Sequence, residues 1–138
     1  MKAPPWQYFI PRYGNFGGPG WSGGVMMADY SEVDWAVKPV DSLDELFCRH
    51  DKHYQAAIHK ERDGIITELE KYKLWLKADK ELIQEIDDLP IDPHKWPRKP
   101  SNMFYGWLYR KLAIYSFTLK TWVCERVRNL TEIGRAHV

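Results

Sequence analysis

Apolar positions in the first half of the chain recur at helical spacing. Leu43, Phe47, His50, Tyr54 and Ile58 follow one another at steps of three and four, the stripe of a helix that buries one face. Asp41 or Ser42 can cap this helix, which is expected to run to about Lys60. Asp63-Gly64 breaks the pattern, and Ile65, Leu69, Tyr72, Leu76, Asp79, Ile83 and Ile86 then mark a second helix. Pro90, Pro93, Pro97 and Pro100 predict an extended connection. A third helix, capped by Ser101 or Asn102, is expected from Met103 to about Asn129. Residues 1–38 hold most of the glycines and no sustained period, so they read as loop with short irregular pieces. The pattern predicts a mainly α fold.

Two polar residues interrupt these apolar stripes. His50 and Asp79 must each find a partner, because an unpaired buried polar group costs on the order of 1–3 kcal/mol. Beside His50 stands a second carboxylate, Asp51, and upstream runs a glycine-rich loop, Tyr13-Gly14-Asn15-Phe16-Gly17-Gly18-Pro19-Gly20. A base, an acid and a loop able to offer backbone carbonyls together suggest calcium-assisted hydrolysis. The plainer readings are simple: a His-Asp pair that is solvated or core-paired, a Gly-Pro-Gly turn, and an Asp79 salt-bridged across the core. Asp41 and Asp44 read as cap and packing residues, and His53, His59 and His94 as surface residues. Cys48 lies off the apolar stripe and has no identifiable base, so it is not read as a nucleophile.

The same residues carry a family resemblance. Pro39-Val40-Asp41-Ser42-Leu43-Asp44 leading to His50-Asp51-Lys52-His53-Tyr54 resembles the helix of secreted-type phospholipase A2. Tyr13, Gly14, Gly18 and Gly20 match that family's calcium loop, with Phe16 at an aromatic position. The family's disulfide cysteines are replaced by Asn15, Gly17, Leu46, Phe47 and His53, which is similar to the disulfide-free phospholipase A2 domains of some viral capsid proteins. The resemblance covers about a third of the chain. It implies two antiparallel catalytic helices, a calcium-binding loop over one end and a third C-terminal helix alongside. By the same resemblance His50 is the general base, Asp79 orients it, and Tyr54 hydrogen-bonds Asp79. Asp51 and the carbonyls of Phe16, Gly18 and Gly20 bind Ca²⁺, and the Gly18 amide supports the oxyanion. The family's second supporting tyrosine has no evident counterpart; Tyr72 and the tyrosines of the third helix are open substitutes. The implied activity is calcium-dependent hydrolysis of the sn-2 ester of glycerophospholipids. An inactive calcium- or membrane-binding relative, a structural piece of a capsid protein and an all-helical interaction module are the alternatives.

Composition narrows the partners. The 138 residues suit one domain, and 20 basic against 19 acidic side chains leave no field to steer the chain to nucleic acid. Seven Trp, eight Tyr and five Phe point instead to a phospholipid membrane surface, with Trp6 and Trp21 as the preferred contacts. Tyr8, Phe9 and Ile10 before the loop and Val25, Met26 and Met27 after it join that cluster. Two cysteines cannot build the disulfide framework of a small secreted enzyme, and the N-terminus lacks the apolar run of a signal peptide. An intracellular or virion-associated domain is the expectation. The end of the chain, Ile133-Gly134-Arg135-Ala136-His137-Val138, matches the translation of a common short-read sequencing adapter that continues into a stop codon. The domain is therefore expected to occupy 1–131, with 132–138 a non-native tail in which His137 is no ligand.

Overall fold

The computed structural model describes residues 11–26 and 33–136, the last six of them by backbone alone. Its elements are a short hairpin, β1 (Trp21–Ser22) and β2 (Val25–Met26), then α1 (Ser42–Arg62), α2 (Glu68–Asp88) and α3 (Met103–Ala136). A single 3-10 turn, Pro93–Lys95, interrupts the proline-rich connection. Trp6, Tyr8, Phe9, Ile10 and Met27 fall outside the described residues. No helix among the described residues is long and apolar enough to cross a membrane.

Local chemistry sets where the helices begin. Asp41 caps α1, its Oδ1 accepting the Asp44 N–H at 2.9 Å. Thr67 and Glu70 form a reciprocal capping box at the start of α2. α3 continues seven residues past the expected stop at Asn129. Pairings along the helices fix their directions. Arg49 meets Glu85 while Glu61 meets Lys71, so α1 and α2 are antiparallel. Arg110 bonds the carbonyls of Asp87 and Leu89 while Lys120 reaches Asp79, so α3 runs back along α2.

The core lies where α1, α2 and the first half of α3 meet. Leu43, Phe47, Leu82, Ile86, Trp96 and Tyr109 are among its buried side chains. α1 buries a wider face than the expected stripe, since Leu46, Cys48 and Ala57 are also enclosed and Ile58 is only half-buried. Cys48 thus belongs to the core rather than beside it. α2 departs more sharply. Ile65, Leu69 and Tyr72 are exposed, and burial begins in earnest at Ala78 and Asp79.

The glycine loop is held to α1 by two buried carboxylates. Asp44 Oδ1 accepts the N–H of Phe16, and its Oδ2 accepts those of Asn15 and Val40, all at 2.9 Å. Asp41 Oδ2 accepts the Tyr13 hydroxyl at 2.6 Å. Gly14 has φ +52, and a Cβ there would lie 2.4 Å from Asp44 Cγ, so this position has room only for glycine. Phe16 follows into the core, its ring stacked 6.0 Å from Trp35.

Replacing Asp44 with Ala would leave three backbone donors without acceptors. The Phe16 donor is buried and those of Asn15 and Val40 are part-buried, so a loss of about 2 kcal/mol or more is expected, at about 1–3 kcal/mol for a buried donor left unpaired. Gly14→Ala should also destabilise the fold, because it pushes a methyl into that carboxylate. Urea unfolding of both variants checks this, and stabilities within about 1 kcal/mol of wild type would contradict it.

Candidate active site

Three helices and the loop meet at one cavity of about 470 Å³. α1 contributes His50, Asp51 and Tyr54, and the loop contributes Phe16 and Gly18. α3 closes the far wall with Tyr109, Leu112, Phe117 and Lys120 among others. Two larger, shallower grooves lie elsewhere, along Pro90–Lys95 and along the exposed face of α2. Neither holds a buried ionisable cluster.

The polar centre of the cavity is a four-residue network. His50 Nε2 lies 2.7 Å from Asp79 Oδ1, and the Tyr54 hydroxyl donates to the same oxygen at 2.6 Å. Both partners are nearly inaccessible, His50 at 6 % and Asp79 at 2 % of full exposure. The positions follow from helix geometry: His50 and Tyr54 are one turn apart on α1, with ring centroids 4.4 Å apart. Tyr54 is stacked on Trp75 of α2, and Phe117 of α3 sets its edge against the imidazole. The remaining Asp79 oxygen, Oδ2, takes Lys120 Nζ at 3.0 Å, and Lys120 also donates to the Tyr54 hydroxyl at 2.5 Å.

These contacts decide the charges. Burial alone raises the Asp79 pKa, but the His50 bond, the Lys120 charge and the Tyr54 bond outweigh it, and the net shift is downward. Burial likewise opposes a charged His50, yet the close approach and charge of Asp51 and the bond and charge of Asp79 prevail, so its pKa is raised. With Asp79 ionised, a neutral His50 carries its proton on Nε2. The lone pair then sits on Nδ1, which makes no hydrogen bond among the described residues and lies 3.7 Å from Asp51 Oδ1.

Asp51 is the least satisfied carboxylate of the site. It is buried, and among the described residues only Ser22 of β1 donates to it, through Oγ to Oδ2 at 2.7 Å. Burial pushes its pKa up to about 6 against the lowering effect of His50 and Ser22. A buried anion with one oxygen short of donors fits a hard cation, which takes oxygens only. Among the described residues no group of three or more His, Cys, Asp or Glu side chains could hold a metal. A cation here would complete its shell from oxygens other than acidic side chains, those of the backbone or of water. The carbonyls of Phe16 and Gly20 accept no hydrogen bond among the described residues, while that of Gly18 accepts the Trp21 N–H at 3.1 Å. Gly18 and Phe16 line the cavity and Gly20 does not. The Gly18 N–H has no acceptor among the described residues, and Gly18 has φ +123, a conformation open to glycine.

Comparison of the chain with protein-family models, curated proteins and solved structures finds no match.

The structure brings His50, Asp51, Tyr54, Asp79, Phe16 and Gly18 together around one cavity, with Gly20 immediately before β1. Trp21 is part-exposed: its indole N–H donates to the Gly14 carbonyl at 2.8 Å and the Arg12 guanidinium lies over its ring, so it also braces the loop. Among the described contacts neither Tyr72 nor a third-helix tyrosine supports Asp79. Tyr72 is exposed and bonded to Glu68, and Tyr109 bonds the Pro11 carbonyl. Lys120 takes that position. Sequence reasoning missed it because a lysine separated from Tyr54 by 66 residues carries no local signal. It missed Ser22 for the same reason. Cys48 is inert here, since burial pushes its thiol up.

The lowered Asp79 pKa has a consequence for acid stability. A carboxylate depressed in the folded state stabilises the fold above its unfolded pKa of about 3.9. That contribution is lost as pH falls through the folded value. Asp79→Asn should therefore lose melting temperature less steeply than wild type between about pH 5 and pH 2. Parallel curves would contradict the assignment.

Proposed function

We propose that this chain is a calcium-dependent phospholipase A2, hydrolysing the sn-2 ester of glycerophospholipids to a fatty acid and a lysophospholipid. One observation carries the reading. A buried imidazole bonded through Nε2 to an ionised carboxylate presents Nδ1 to an apolar cavity, beside a carboxylate short of partners. The resemblance of Tyr13–Gly20 and Pro39–Tyr54 to the family's loop and helix supports the same conclusion.

In this reading His50 Nδ1 removes a proton from a water as its oxygen bonds to the ester carbonyl carbon. Asp79 holds the Nε2–H tautomer and stabilises the imidazolium, and Tyr54 fixes Asp79. The Gly18 N–H donates to the developing oxyanion. As the ester C–O bond breaks, His50 returns the proton to the departing glycerol oxygen. Calcium would be held by the Asp51 carboxylate and the Phe16, Gly18 and Gly20 carbonyls. When bound, it supplies Lewis-acid polarisation of the carbonyl and charge for the phosphate. Phe47, Tyr109 and Phe117 offer the apolar walls for an acyl chain. The partner is a phospholipid surface, which the exposed Leu112 at the cavity, together with Tyr115 and Leu119, is suited to meet.

The test is fatty-acid release from vesicles of mixed phosphatidylcholine and phosphatidylglycerol labelled at sn-2, with calcium or with chelator. Wild type should release the label only with calcium. His50→Gln should lose roughly 10²–10⁴-fold of that rate, the usual share of a general base. Asp51→Asn should lose turnover and calcium affinity together, the latter read by calorimetry. Calcium binding without release would favour a non-catalytic module, and release unchanged in His50→Gln would overturn the mechanism.

A further inference from the structure

Lys120 is the one cation that reaches the His50–Asp79 pair among the described contacts, and it comes from α3 rather than from either helix carrying that pair. Its ammonium lies 3.0 Å from Asp79 Oδ2 and 2.5 Å from the Tyr54 hydroxyl, and 5.1 Å from the centroid of the Tyr54 ring. The two oxygens of Asp79 therefore have different partners. Oδ1 serves His50 and Tyr54, while Oδ2 serves Lys120.

That division is what a carboxylate needs if it is to orient an imidazole. A carboxylate bonded through one oxygen alone can swing about its Cβ–Cγ bond and exchange the oxygen it presents. A second charged bond on the other oxygen stops this motion. The ammonium also compensates an anion that is 2 % exposed, for which an unpaired charge would be costly. Because Lys120 donates to Tyr54, the tyrosine's own proton is directed to Asp79. We propose that Lys120 is a positioning residue. It locks Asp79 in the ionised, single-rotamer state that keeps the His50 proton on Nε2, and it makes α3 an essential part of the active site. This rests on the hydrolase reading above for its effect on turnover, but not for its effect on the imidazole.

Lys120→Met keeps the length of the stem and removes the charge, and Lys120→Arg restores the charge. Hydrolysis of a dispersed short-chain phosphatidylcholine at saturating calcium separates the possible roles. Lys120→Met should lose about 10–100-fold in kcat, the usual cost of removing a group that orients a reacting one, with KM within twofold. Lys120→Arg should recover most of that loss and melt close to wild type, while Lys120→Met, which leaves Asp79 with His50 and Tyr54, should stay folded with a lowered melting temperature. A rise in KM with kcat unchanged would make Lys120 a substrate contact and overturn the proposal. So would equal loss in the Met and Arg variants. A second readout stands apart from turnover: the ¹⁵N resonances of the His50 ring at a pH above its raised titration, where the imidazole is neutral. Wild type should show a protonated Nε2 and an unprotonated Nδ1, and Lys120→Met should show a mixture of tautomers. If wild type releases no fatty acid, the hydrolase reading fails while this spectrum still tests the lock. An unchanged spectrum in Lys120→Met overturns it.

Discussion

A carboxylate removed from water must have its charge met by the protein, and Asp44 meets this demand with backbone alone. Three N–H groups, from Asn15, Phe16 and Val40, converge on a side chain that is fully buried. Much of the active-site end of the molecule depends on that convergence. It fixes the path of the glycine loop across the start of α1 and leaves room only for glycine at position 14. Asp51 stands seven residues after Asp44, two turns further along the same face of α1. A loop pinned at Asp44 therefore passes over Asp51, where Ser22 returns a hydroxyl to it. Both cysteines are free, so hydrogen bonds to buried carboxylates do the work that cross-links would do in a disulfide-rich domain.

Three buried aspartates sit on these helices, and their different surroundings give them different roles. Asp44 is satisfied by amides and is structural. Asp79 is satisfied by an imidazole, a phenol and an ammonium, which lower its pKa and keep it charged. Asp51 has one hydroxyl and an imidazole nitrogen 3.7 Å away, and its pKa is pushed up. Among the described residues two of these three acids are satisfied by donors and Asp51 is the least so, which is the observation on which the proposed calcium site rests.

The helices, and His50 and Tyr54 on one face of α1, were legible because periodicity reports directly which residues share a face; the pairing of Asp79 with them came from the family resemblance. Asp41 as a cap was legible for the same local reason. What periodicity cannot report is whether a neighbour covers that face. Ile65, Leu69 and Tyr72 continue the stripe of α2 yet stay exposed, because Lys71 and Trp75 are the residues better covered over that stretch. Asp44 was read as packing when it is the anchor of the loop; a carboxylate on a buried face opposite a run of glycine amides was the available signal. A salt bridge from Asp79 across the core was among the readings, and Lys120 supplies it, but neither Lys120 nor Ser22 could be singled out, since their contacts with the site close over 66 and 29 residues of chain. Composition suggested Trp21 as a membrane contact but does not say where an indole N–H points, so its bond to the Gly14 carbonyl was not legible.

The central claim is that the loop is held ready by Asp44 before any ligand arrives, and amide hydrogen exchange in the calcium-free protein tests it most directly. If the account holds, the amides of Asn15, Phe16 and Val40 are protected to the level of the interior amides of α1, and Asp44→Ala releases all three together. Exchange of these three amides in the wild type at the rate of an open loop would contradict it.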